Sequence, residues 1–100
     1  MQLKNIIILR DGSSLTGEVK DKKITIKTSF GLLSFDKGEI VHIHFKNPPQ
    51  FLNDELLLKT SDKLKGEITN KLISFKLESS KENLKLEKDK IHTIMFLDNV

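Results

Sequence analysis

The chain contains no cysteine, tryptophan or tyrosine, and only two of its 100 residues are proline. Without cysteine there is no disulfide framework and no cysteine-based zinc site. No stretch approaches the roughly 18 consecutive apolar residues of a membrane-spanning helix. The first apolar run, residues 6–9, is too short for a signal peptide. We therefore expect a cytoplasmic protein that has no membrane segment.

Arginine is almost absent as well, because Arg10 is the only one among the 17 basic residues. Lysine binds a phosphate group as a point charge but lacks the planar fork of arginine. The net charge of +3 is unevenly placed: residues 1–46 hold eight basic and five acidic side chains, whereas residues 51–100 hold nine of each. This bias is too mild to indicate a nucleic-acid-binding protein by itself.

The clearest positive feature is an internal repeat. Residues 15–19 (LTGEV) recur 49 residues later as residues 64–68 (LKGEI). Around them the apolar positions match with an offset of 49 as far as Ile26 and with an offset of 51 from Leu33 onward, whereas surface positions differ. Such a period predicts two copies of one small unit. A unit of about 45 residues rarely folds alone, so we expect the copies to share a core or to complete themselves against another chain.

Each copy is predicted to form five short strands separated by turns, because apolar and polar residues alternate between turn-forming residues. A broken alternation in residues 39–46 predicts a bulge near His42. Residues 51–59 could alternatively form a short helix, since they include good helix formers. The predicted strands cover residues 4–10, 14–20, 23–27, 32–35 and 39–46, and then 54–60, 63–69, 72–78, 83–87 and 90–97.

Two glycines and two prolines define the predicted architecture. Gly17 and Gly66 lie on the apolar face of equivalent strands, where glycine is typical of a bulge, a sharp bend or a close backbone approach; we favour bending. Pro48 and Pro49 mark the only linker. The prediction is an all-β protein of two tandem, five-stranded, strongly bent barrel units that share or abut their cores. Its parts are a first repeat (1–46), a linker (47–50) and a second repeat (51–100).

The segments LRDGSSLTGEV and GLLSFDKGEIVHI resemble the Sm-like (LSm) family, and more broadly SH3-like barrels. The resemblance implies a five-stranded, bent, barrel-like sheet that associates through strand edges. Lys37 stands where the family has an arginine, and the second copy has no glycine after the equivalent Lys88. The matching residues are Asp11, Gly12, Leu15, Gly17, Val19, Lys37, Gly38, Ile40, Val41 and Ile43.

Two groups of side chains are candidates for binding. His42 and His44 lie two residues apart on one predicted strand, and neutral imidazoles bind zinc, copper or nickel; the alternative is a pair of surface histidines. The densest basic patch could follow phosphate groups, or it could simply be a solvated hairpin tip. Its candidate nucleic-acid-binding residues are Lys20, Lys22, Lys23, Lys27 and Lys37.

Catalysis has little support, because the serines fall in turns without a recognisable nucleophile motif and no glycine-rich phosphate loop is present. We expect no enzyme and no cofactor. The apolar runs at residues 6–9 and 56–58 are either covered on both faces or pair with another chain. The sequence therefore favours a binding or assembly module that joins copies of itself or a protein partner through sheet edges. The alternative is RNA binding through the lysine-rich first repeat.

Overall fold

The computed structural model describes residues 4–49 and 52–97, and in these ranges the protein is all-β. Strands account for 62% of the described residues and form one curled, antiparallel sheet that resembles half a barrel. This confirms the predicted class. No helix of the described ranges is long and apolar enough to cross a membrane. Residues 1–3 of the first predicted repeat, residue 50 of the predicted linker, and residues 51 and 98–100 of the second predicted repeat lie outside the described residues.

Ten strands occur where the alternating patterns predict them, and each repeat carries a short 3₁₀ turn before its last strand. Residues 54–58 form a strand, so the helical alternative for this segment is wrong. In the first repeat the elements are β1 (Asn5–Leu9), β2 (Ser14–Val19), β3 (Lys23–Thr28), β4 (Gly31–Asp36), a 3₁₀ turn (Lys37–Glu39) and β5 (Ile40–His44). In the second they are β6 (Asp54–Leu58), β7 (Lys63–Ile68), β8 (Leu72–Leu77), β9 (Asn83–Glu87), a 3₁₀ turn (Lys88–Lys90) and β10 (Ile91–Phe96).

The sheet does not divide at the linker. Its strand order is β4-β3-β7-β6-β5-β10-β1-β2-β8-β9. Within a repeat only the hairpins β1–β2, β3–β4, β6–β7 and β8–β9 pair. The other five pairings join one repeat to the other. Two separate five-stranded units, one per repeat, are therefore not confirmed.

The strand order stays the same when each strand is exchanged for its counterpart in the sequence alignment and the list is read from the other end. β5 and β10 are equivalent strands, and they pair at the centre with Ile43 opposite Ile94. These two residues are themselves equivalent in the sequence alignment. The buried apolar side chains form one cluster that draws on both repeats: Ile7, Val19, Ile24, Ile26, Ile40, Ile43, Phe45, Leu56, Leu58, Ile68, Ile73, Phe75, Ile91, Ile94 and Phe96.

Gly17 and Gly66 lie inside β2 and β7, as predicted. A Cβ atom on Gly17 would overlap the carbonyl oxygen of Lys76, and one on Gly66 would overlap that of Lys27. Both carbonyls belong to the strand that comes from the other repeat. The absent side chain thus permits close approach of two backbones at the points where the repeats exchange partners.

The predicted bulge in β5 is confirmed. The pairing of β5 with β6 shifts register between Ile40 and His42. The equivalent strand β10 has the same irregularity, because Leu9 pairs with Ile91 while Ile8 pairs with Thr93. One extra residue in each strand keeps Ile40, Ile43 and their counterparts on the core face.

Candidate functional site

The described part of the sheet ends at β4 on one side and at β9 on the other, and each of these strands has one strand neighbour. The apolar runs of β1 and β6 are not at an edge. β1 lies between β10 and β2, and β6 lies between β5 and β7. Ile7 is fully buried, and Ile6 and Ile8 on the opposite face are half-buried. The open edges are therefore at different strands from those that the apolar runs suggested.

The two edges differ in side-chain chemistry. β9 presents Asn83, Lys85 and Glu87 on its exposed face. The equivalent face of β4 presents Leu32 and Ser34 before Asp36. Charged side chains on an edge strand oppose pairing with another chain. The edge at β9 is therefore protected, and the edge at β4 is much less so.

Apolar side chains are exposed at the hairpin that joins β3 to β4. Phe30 is 70% exposed and Leu32 is 65% exposed. The turn is braced by Thr28, whose hydroxyl donates to the carbonyl of Gly31 (2.8 Å) and accepts the N–H of Phe30 (3.2 Å). An apolar tip held in one conformation beside an open edge is suited to docking.

The predicted lysine patch does not form one basic surface. Lys20 and Lys37 both pair with Glu18, at 3.4 and 3.2 Å. Lys23 lies opposite Asp36 in the β3–β4 hairpin, and Lys27 lies opposite Glu67 of β7. Lys22 is exposed in the turn before β3. Because acidic residues alternate with these lysines, nucleic-acid binding stays a prediction that the charge distribution does little to favour.

Lys37 has a structural role that the sequence did not indicate. Its Nζ donates to the carbonyl of Val19 at 2.5 Å, at the end of β2. In the second repeat, Nζ of Lys88 donates to the carbonyl of Ile68 at 2.6 Å, at the end of β7. The two contacts are equivalent under the repeat. The lysine beside the 3₁₀ turn therefore holds a strand end in both copies.

A buried polar residue meets the same strand end from the other side. Asn5 accepts the N–H of Val19 at 2.8 Å, and Asp54 accepts the N–H of Ile68 at 2.8 Å. Asp54 is fully buried and also pairs with Lys88 at 2.9 Å. The second repeat thus contains a buried ion pair, whereas the first has a neutral amide in the same place.

A cleft of about 630 Å³ lies between the strand pairs β3–β7 and β8–β9. Lysines and acidic residues both line it, so it has no strong preference for an anion. The charged residues are Lys27, Lys46, Glu67, Lys71, Glu87, Lys88 and Asp89.

The histidines gather at the central seam between β5 and β10. The ring centroids of His42 and His44 are 4.4 Å apart, with the planes tilted by 55°. The hydroxyl of Thr93 lies 3.1 Å from Nδ1 of His44 and 2.7 Å from Nδ1 of His92. A hydroxyl donates only one proton, so at most one of the two Nδ1 atoms accepts it, and at least one ring donates its own N–H to the hydroxyl oxygen. Thr93 thereby couples the tautomers of two histidines from different repeats.

Burial lowers the pKa of His42, and the neighbouring His44 and Lys63 lower it further, while Glu55 opposes them. Burial also lowers the pKa of His44. Glu55 raises this pKa, whereas His92 and Lys63 lower it further. Both rings therefore favour the neutral form.

The predicted metal site is not supported by a wider ligand set. Among the described residues no group of three or more His, Asp or Glu side chains is placed to hold a metal ion. Nδ1 of His44 already contacts Thr93. Metal binding by His42 and His44 stays a prediction.

Arg10 has a structural role that no sequence pattern predicts. Its guanidinium donates to the carbonyl of Asp89 (2.7 Å), to the carbonyl of Lys46 (2.5 Å) and to the side-chain oxygen of Asn47 (3.3 Å). These contacts fix the start of the linker against the second 3₁₀ turn. The planar fork of the one arginine is what makes three such acceptors reachable at once.

No protein-family model, no curated protein and no solved structure matches this chain.

Proposed function

We propose that this protein is a non-catalytic assembly module. It binds other chains, primarily copies of itself, through strand pairing at the edges of its sheet. The observation that carries the proposal is the open edge at β4, flanked by the exposed side chains of Phe30 and Leu32. An edge strand offers a row of backbone donors and acceptors to another strand.

The proposal also covers the organisation of the sheet. We infer that it consists of two barrel-like halves, in keeping with the Sm-like resemblance. One half would contain β3 to β7, which are consecutive in the chain. The other would contain β8 to β10 together with β1 and β2. The strand order supports this division, since each group of five is contiguous in the sheet.

Sedimentation of the whole chain over a wide concentration range, combined with amide hydrogen exchange, tests the assembly function. We expect reversible association, with amides of an edge strand exchanging more slowly at high concentration. A chain that stays monomeric throughout would contradict the proposal, and so would association that leaves both edge strands unprotected.

A further inference from the structure

We infer that the partner of this edge is the β4 strand of a second copy of the chain, which pairs antiparallel to give a closed, two-fold dimer. This inference rests on the proposed assembly function and names its interface. Two of its grounds are the difference between the two edges and the braced apolar tip at Phe30.

The sequence of β4 is compatible with pairing to itself. A two-fold axis at Leu33 places Leu33 opposite its own symmetry mate, Leu32 opposite Ser34 and Gly31 opposite Phe35 of the second copy. Every side chain then stays on its own face of the extended sheet, as the pleat requires. Leu32 from each copy becomes a diagonal neighbour of the other, within reach of a long apolar side chain.

Charge favours this register over the next one. Asp36 is the only charged residue of β4. With the axis at Leu33, Asp36 falls just outside the paired residues 31–35, beside the exposed turn residue Phe30 of the second copy, and it still faces Lys23 of its own hairpin. Moving the axis to Ser34 would bring Asp36 inside the paired segment, opposite Leu32 of β4, where pairing would desolvate its carboxylate.

The protected edge explains why assembly would stop at two copies. Pairing of β4 with β9 of another copy would leave one open edge at each end and would continue into a filament. Lys85 and Glu87 on β9 oppose that contact, because pairing would desolvate charged side chains. Pairing of two β4 edges leaves only β9 at both ends of the dimer.

The test compares matched variants at the two edges. Leu32→Lys places two lysines near each other across the dimer axis, and Asn83→Lys makes the equivalent change on β9. Both positions are exposed, so circular dichroism should be unchanged. We expect Leu32→Lys to weaken dimerisation about a hundredfold, since each of two leucines contributes about a factor of ten. Asn83→Lys should have no effect, and only β4 amides should gain protection in the wild-type dimer.

Other outcomes separate this inference from the assembly function. If Asn83→Lys dissociates the assembly and Leu32→Lys does not, assembly through an edge stands and the β4 interface is overturned. Growth into filaments would overturn the closed dimer. The chain could instead stay monomeric, with β4 amides protected from hydrogen exchange only when an extended peptide of foreign sequence is added. That result would assign the edge to a foreign strand and overturn self-pairing. A monomer with both edges unprotected under all conditions overturns the inference and the assembly function together.

Discussion

Gly17 and Gly66 must be glycines because the backbone of a neighbouring strand leaves no room for a Cβ atom. Neither residue has a backbone conformation that itself requires glycine. Gly17→Ala or Gly66→Ala would push a methyl group into a carbonyl oxygen of β8 or β3. A carbonyl in a strand cannot rotate away without separating the two strands. We expect each substitution to lower the free energy of unfolding by about 3 kcal/mol or more, at the upper end of overpacking costs. Denaturant unfolding measures this effect.

Gly38→Ala is the matched control, because a Cβ atom at Gly38 meets no atom within 4 Å. We expect its stability to change by less than about 1 kcal/mol. Equal losses at Gly38 and Gly17 would mean that close strand approach is not the reason why glycine recurs at this position in both repeats.

The buried pair of Asp54 and Lys88 gives a second prediction at this scale. Lys88→Met removes the cation and leaves a fully buried carboxylate, so we expect a loss of about 3–5 kcal/mol in the free energy of unfolding. Asp54→Asn imitates Asn5 of the first repeat: its one acceptor oxygen keeps the bond from the N–H of Ile68, while the N–H of Lys46, which Asp54 also accepts, loses its partner. In the Asp54→Asn background, Lys88→Met should therefore cost much less. Unfolding of the two single variants and the double variant measures the coupling.

The first repeat supplies the control for that cycle. Lys37 makes the equivalent carbonyl contact, but its acidic partner Glu18 is 35% exposed. Lys37→Met should cost about 1 kcal/mol, the usual net value of a hydrogen bond. A loss as large as that of Lys88→Met would show that the carbonyl contact, and not the buried charge, dominates.

At the residue scale the sequence indicated the positions of the two glycines, the bulge near His42 and the pairing of histidines on one face. It did not indicate the structural role of Lys37, for which it predicted nucleic-acid binding. A lysine that caps a strand end from another part of the chain has no local pattern, because its partner is chosen by the tertiary fold.

At the scale of elements, the turns after β1 and β6 form the same hydrogen bonds from different residues. Gly12 has φ +94°, and Ser61 at the equivalent position has φ +75°. Their N–H groups donate to Leu9 and Leu58, at 3.0 and 2.9 Å. A left-handed conformation costs a residue with a side chain about 1–2 kcal/mol. Ser61→Gly should therefore stabilise the protein by about 1 kcal/mol, and Gly12→Ser should destabilise it by a similar amount.

Thermal unfolding of these two turn variants is the measurement. The opposite signs are diagnostic, since general effects of glycine on chain entropy would make Ser61→Gly destabilising. A loss of stability in Ser61→Gly would contradict the assigned strain.

The seam between β5 and β10 should make stability depend on pH. The pKa values of His42 and His44 are lowered from 6.5 in the folded protein. The unfolded chain then binds more protons than the folded one just below that pH, so stability is lost as the pH falls through about 6.5 toward the folded pKa values. Unfolding measured from neutral to mildly acidic pH should show this loss. The double variant His42→Gln/His44→Gln should reduce the slope; an unchanged slope would place the titration elsewhere.

The boundaries of strands followed from alternation and turn residues, and most lie within two residues of their predicted ends. The partners of the strands did not follow. Alternation fixes which side chains face the core, but the same alternation is satisfied whether β2 pairs with β3 or with β8. The choice depends on the path of residues 20–22 and 69–71 between strands, which no periodicity encodes.

At the scale of the whole molecule, the exchange of strands changes what each repeat can do alone. β5 has no partner within the first repeat, and β10 has none within the second. The core cluster also takes side chains from both. A repeat on its own therefore keeps two hairpins and an unpaired strand, and an isolated hairpin is at best marginally stable in water.

The final prediction follows from that dependence. Residues 1–49 and 52–100, made as separate peptides, should each lack a cooperative unfolding transition. Mixed in equal amounts, they should associate one to one and recover strand structure, because five of the nine pairings form between them. Circular dichroism and sedimentation measure both effects. Cooperative unfolding of either peptide as a monomer would favour the tandem units that the linker suggested, and would mean that the exchanged pairings are dispensable for folding.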